Sequence, residues 1–147
     1  MTLSDWTAEL ALRGITVLPP TTAVPVELHA SLPDGRGLHF RCRGTRATLR
    51  VFDAEAVQLA VPVREATPTE LPLMTEVWLP LAGTRVVERQ LVRLVFTGAP
   101  AASAELDGAE RFGWSGHEAG LLRLREAKPL FEELLARVLP ELASVAA

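Results

Sequence analysis

The chain holds a single cysteine, Cys42, in 147 residues. That excludes an intramolecular disulfide and any zinc site built from several thiolates. There is no tyrosine, and three histidines, His29, His39 and His117, leave a thin supply of general acids and bases. Lysine is reduced to Lys128, so positive charge rests on arginine. The 15 basic residues fall short of the 18 acidic ones, for a net charge of -3. A protein that coats nucleic acid through overall basicity is thereby excluded. Long apolar runs are missing too. The uncharged stretch 14–26 is interrupted by Pro19, Pro20 and Pro25 and falls short of the roughly 20 apolar residues a spanning helix needs. Asp5 and Glu9 stand where a signal peptide needs a basic start. The expectation is a cytoplasmic protein without a membrane span.

What is present suits one globular domain, residues 1–147. Hydrophobic residues make up 48% and charged residues 22%, which can build a core and is too apolar for a disordered chain. Leu3, Trp6 and Leu10 recur at helical spacing, Ser4 has the chemistry of an N-cap, and Gly14 is a natural stop. Pro19 and Pro20 are expected to end regular structure. A series of alternating segments follows: Val24 to Ala30, Leu38 to Cys42, Ala47 to Val51, Val57 to Val61 and Val77 to Leu81. Pro33-Asp34-Gly35 and Gly44 supply turns between them. The run Arg85 to Phe96 is β-branched, and its alternation slips near Leu91 and Val92, which predicts a bulge. Residues 64–72 read as a loop, and Gly98 to Ala104 as a flexible one. Trp78 is expected in the core beneath a terminal helix.

The C-terminus reads as helical. Ser115 and Glu118 have capping-box spacing, Pro129 suits the first turn of a further helix, and Phe131, Leu134, Leu135 and Val138 form one apolar stripe. Strands in series without strand–helix alternation argue for an antiparallel sheet or barrel. The fold class is therefore mainly β: a small antiparallel β-barrel of six or seven strands over about residues 24–114, a short N-terminal helix, and a C-terminal helical segment over about 115–140.

Three constellations carry chemistry. Gly113-Trp114-Ser115-Gly116-His117 falls one glycine short of a nucleophile elbow and lacks the strand-turn-helix setting, so no catalytic residue is assigned. His29 and His39 lie on successive strands, with Glu27 or Asp53 as further donors, but no metal-ligand spacing joins them. Solvent-facing histidines and no metal or cofactor are expected. Residues 36–50 hold Arg36, Arg41, Arg43, Arg46 and Arg50 and no acid, a local +5 against -8 in the rest of the chain, since -3 minus 5 is -8. Guanidinium forks grip phosphates and carboxylates. The candidate ligand-binding residues are Arg41, Arg43, Arg46, Arg50 and Asp53. The plainer reading is a solvated strand face whose charges protect an edge from aggregation. Duplex DNA is not expected as a partner, because no helix is densely basic.

The segments Val51 to Leu59 and Leu71 to Leu81 resemble the PilZ domain family. In that family a strand ends in D-x-S-x-x-G, and a later L-P-x-G-x-x-V-x-L-x-L-P leads into the next strand pair. Asp53 matches the Asp, whereas Glu55, Gln58 and Met74 replace the Ser and the two Gly. The family's R-x-x-x-R precedes its first barrel strand, and the corresponding Leu18 to Val24 has no arginine. The resemblance implies a degenerate member: a barrel with a C-terminal helix that has lost standard nucleotide binding. Its implied role is a non-enzymatic regulatory or adaptor module with a protein partner, in pilus, motility or cyclic di-GMP-related signalling. Two other readings stand beside it. One is a binder of cyclic di-GMP or another anion on the Arg36–Arg50 face. The other is a chaperone-like α+β module with an open sheet. Oligomeric state is left open.

Overall fold

A computed structural model of the chain describes residues 1–65, 68, 90–96 and 98–142. The expected strand at Val77 to Leu81, with Met74 and Trp78, lies outside the described residues. Helix α1 spans Leu3–Leu12. Its cap is Thr2 rather than Ser4. The Thr2 hydroxyl accepts from the Asp5 N–H at 3.1 Å, and the Thr2 N–H donates to the Asp5 carboxylate at 2.9 Å. That reciprocal pair sets the cap two residues before Ser4, which falls inside the helix. Gly14 ends it as expected, with φ 78, a conformation an L side chain resists.

Seven strands follow among the described residues: β1 (Thr16–Ala23), β2 (Val26–Ser31), β3 (Gly37–Arg43), β4 (Arg46–Phe52), β5 (Val57–Glu65), β6 (Gln90–Phe96) and β7 (Ala102–Asp107). A short 3-10 turn, Ala54–Ala56, joins β4 to β5. Five strands form one antiparallel sheet in the order β1-β2-β3-β4-β7, while β5 and β6 form a separate two-stranded ribbon. Among the described residues β1 and β7 are the edges of the larger sheet, and no strand pairing joins them.

The structure corrects several expectations. Pro19 and Pro20 do not end regular structure; they lie within β1. An edge strand has one side free of ladder bonds, so missing N–H groups are tolerated there, and the β1–β2 register shifts between Leu18 and Thr22 to pass them. Val24 and Pro25 are not strand residues, because Ala23 pairs with Val26 and leaves them as a two-residue turn. The expected loop Gly98 to Ala104 runs into β7, whose Ala102, Ala104 and Leu106 face inward. Small residues masked an alternation that pairing with β4 completes. Arg64 and Glu65, expected in a loop, extend β5. The irregularity expected at Leu91 and Val92 is present: Pro62 pairs with Val92 and Arg64 with Leu91, so the extra residue is on β5.

At the C-terminus, α2 (Gly108–Phe112) is capped by Asp107, whose carboxylate accepts from the Ala109 N–H at 2.9 Å. Ser115 and Glu118 make half of the expected box. The Glu118 carboxylate accepts from the Ser115 and Gly116 N–H groups, but only a 3-10 turn, Glu118–Leu121, follows. Helix α3 spans Leu124–Val138, so Pro129 is in its interior instead of its first turn. The helix starts earlier because the Glu126 carboxylate accepts from the Arg123 N–H at 3.0 Å.

The helices cover one face of the sheet. Val26, Leu28 and Ala30 of β2, Leu38, Phe40 and Cys42 of β3, and Ala47, Leu49 and Val51 of β4 are buried together with Trp6, Leu10, Phe131, Leu134 and Leu135. Lys128 donates to the Glu9 carboxylate at 2.6 Å, and Arg13 pairs with Glu132, tying α3 to α1. On the opposite face, Phe96 of β6 stacks on Phe52 with centroids 4.6 Å apart and planes at 7°. It lies over Gly37, where a Cβ would stand 2.2 Å from the ring. Gly37→Ala is therefore expected to cost about 1–3 kcal/mol, read as a lower urea midpoint. In a Phe96→Ala background the same change should cost clearly less, because the clash is with that ring.

Candidate functional site

Alternation sends His39, Arg41 and Arg43 of β3 and Arg46, Thr48 and Arg50 of β4 to the face away from the helices. Register then decides who meets whom. Arg43 stands opposite Arg46, Arg41 opposite Thr48, and His39 opposite Arg50. These six residues line one shallow hollow of about 200 Å³. The tight Gly44-Thr45 turn, with Gly44 at φ 62, holds the Arg43–Arg46 pair at its end. Arg46 donates to the Glu105 carboxylate at 2.9 Å, and that bond with the Glu105 charge raises its pKa above the ordinary value. Among the described residues Arg41, Arg43 and Arg50 form no ion pair.

The structure thus gathers four of the five sequence-designated residues. Asp53 is not among the lining residues; it lies beyond the far end of β4, exposed, with its carbonyl accepting from the Ala56 N–H at 2.9 Å. Arg36 does not belong to the face either. It sits in the β2–β3 turn, donating to Asp34 at 2.7 Å and approaching Glu141 at 3.9 Å. The acid-free window is also bounded in space. Glu27 on β2 faces Arg41, while Asp107 and Glu105 on β7 face Arg46 and Thr48. Arg41 and Arg43 line a second hollow of about 380 Å³ on their other side, with Pro25, His117 and the exposed Leu121.

Beside the arginines is a cluster whose members the sequence named without joining. His29 pairs with His39 across β2 and β3, and their rings stack with centroids 4.7 Å apart. The Glu27 carboxylate oxygen Oε1 is 3.0 Å from His39 Nε2 and 3.3 Å from His29 Nε2. Neither histidine is a solvent-facing one: His29 is 3% exposed and His39 is half-buried. His29 sits between Leu18 and His39 in the sheet. Its burial depends on segments distant in the chain and cannot be read from local alternation. Burial holds the His39 imidazole below its ordinary pKa, against the opposing pull of the Glu27 hydrogen bond and charge. Burial also pushes the Glu27 carboxyl up, but the His39 hydrogen bond and the neighbouring charges outweigh it and leave the carboxyl below its ordinary value. At neutral pH Glu27 is therefore a carboxylate beside a neutral His39 imidazole.

Cys42 points into the core, where burial pushes its thiol up to about 12. A thiol so placed is neither a nucleophile nor a ligand at neutral pH. Among the described residues no helix is long and apolar enough to cross a membrane. Comparison of the chain with protein-family models, with curated proteins and with solved structures finds no match to any of them. Cys42 is expected to stay unreactive toward a disulfide reagent in the native protein and to react at once in denaturant, which timed thiol labelling checks.

Proposed function

We propose that the chain is a non-enzymatic binding module of the adaptor kind, which docks a carboxylate-rich segment of a partner protein on the Arg41, Arg43, Arg46 and Arg50 face. The observation that carries this reading is the set of four guanidinium groups presented by two paired strands around one hollow. Three of them have no ion-pair partner among the described residues, so their charge is available to a ligand. Guanidinium groups at the rim of a hollow bind carboxylates in forked pairs with directional preference, which suits recognition more than bulk adhesion. The exposed Leu121 and Pro25 beside Arg41 and Arg43 add apolar area for a peptide to cover.

The PilZ-like reading belongs with this proposal, as a degenerate domain serving pilus, motility or related signalling in the cytoplasm. Supporting it are Asp53 in the turn after a strand, the antiparallel sheet, and the closing helix. Barrel closure is part of the same reading; β6 lying against the edge strand β1 supports it. Cyclic di-GMP binding at the standard positions is not proposed, because the stretch Leu18 to Val24 carries no arginine.

A labelled glutamate-rich peptide should bind the native chain and weaken steeply as salt rises. Arg41→Ala with Arg43→Ala should reduce its affinity at least about tenfold, the equivalent of about 1.4 kcal/mol, with an unchanged thermal unfolding curve. Equal binding by the double variant removes the proposal. Calorimetry with cyclic di-GMP is expected to give no heat of specific binding, and tight binding would replace the acidic segment with a dinucleotide.

A further inference from the structure

We propose that Glu27, His29 and His39 form a binding site for a divalent transition-metal ion of the zinc type. The inference does not depend on the docking of an acidic segment. Its basis is the convergence of three donor atoms of the right kind. One atom from each residue, two imidazole nitrogens and a carboxylate oxygen, lies within 4.8 Å of the other two. Zinc–ligand bonds of about 2.0–2.1 Å at tetrahedral angles require donors about 3.3 Å apart. The Glu27 Oε1 distances to His39 Nε2 and His29 Nε2, 3.0 and 3.3 Å, are already near that edge length. Closing the set needs the two stacked rings to turn until the in-plane lone pairs of both nitrogens point at one ion.

The fold prepares these donors. His29 and His39 are directly opposed residues of antiparallel neighbours, and Glu27 is two positions before His29 on the same face. The Thr21 hydroxyl accepts from the His29 backbone N–H at 3.1 Å, which steadies the ligand-bearing strand against β1. Entry is open on the Glu27 side, whose side chain is 28% exposed. Two nitrogens and one oxygen select a zinc-like ion over magnesium or calcium, which prefer all-oxygen shells. In the complex each Nε2 gives its lone pair to the ion, so the one proton of each neutral ring resides on Nδ1. Arg41 stands opposite Glu27 and Arg50 opposite His39. Their charge opposes a cation, so the site is weaker than a closed structural zinc site. It also favours an anion on the ion's remaining coordination position. His39 lines the arginine hollow as well, so the candidate ligand set adjoins that hollow.

Calorimetry of the full chain, stripped with chelator and titrated with zinc chloride, should show one equivalent bound. Glu27→Gln and His39→Gln should each weaken binding at least about 30-fold, or about 2 kcal/mol, with native far-UV circular dichroism retained. Nitrogen-resolved NMR of the unmutated protein gives a second readout that needs no variant. Zinc should shift the ring signals of His29 and His39 and leave exposed His117 in place. The proposal fails if zinc does not bind, if binding survives in both variants, or if only His117 responds.

Discussion

The structure depends on the burial of one apolar face of the sheet beneath two helices. At its centre Trp6, Phe40 and Phe131 meet edge to face, with centroids 5.4 Å apart for Trp6–Phe131, 5.3 Å for Phe40–Phe131 and 6.5 Å for Trp6–Phe40. Each ring comes from a different element: α1, the third strand and the long C-terminal helix. Edge-to-face contact adds an angular preference to non-directional burial. A strand repeats every two residues, so holding Phe40 inward also holds Leu38 and Cys42 inward and turns His39, Arg41 and Arg43 outward. A slip of one residue would drive three polar side chains into the helices, and the register is specified for that reason. The polar face is thus a consequence of the core.

Electrostatics then divides that polar face. Arginines of the two central strands lie between acids on the flanking strands, with Glu27 on one side and Glu105 and Asp107 on the other. Arg46 and Glu105 form an exposed pair, and exposed pairs contribute little to stability because water already solvates both charges. The same weakness makes such a surface easy to rearrange around a ligand. The Glu27, His29 and His39 cluster is different in kind. It is largely out of water, so the carboxylate and the two rings hold one another in place.

The third and fourth strands were legible because each alternates cleanly, apolar against polar, and both are flanked by glycine turns. The helix stop at Gly14 and the irregularity near Leu91 were legible for similarly local reasons. The first strand was hidden by Pro19 and Pro20, whose missing donors look disruptive until the strand is seen to be an edge among the described residues. The seventh was hidden by alanine and serine, which give little hydrophobic contrast until the neighbouring strand supplies the pairing. Pro129 suggested a helix start, yet the carboxylate of Glu126 captured the chain a turn earlier. At the site, parity alone could group Arg41 with Arg43 and Arg46 with Arg50, and only the β3–β4 register joins the two pairs. Asp53 and Arg36, close in sequence, fall at the other end of the hairpin and in a turn.

By itself the sequence determined the local periods: which residues of each strand share a face, where glycine and aspartate make turns, and which functions its composition excludes. Those follow from the covalent geometry of neighbouring residues. Tertiary structure decided which strands are edges, which histidine is buried, and which carboxylate meets which imidazole. His29 and His39 are ten residues apart in the chain, and only the antiparallel register of β2 and β3 sets their rings against each other. Burial and pairing of this kind are properties of distant segments brought together, and no local pattern encodes them.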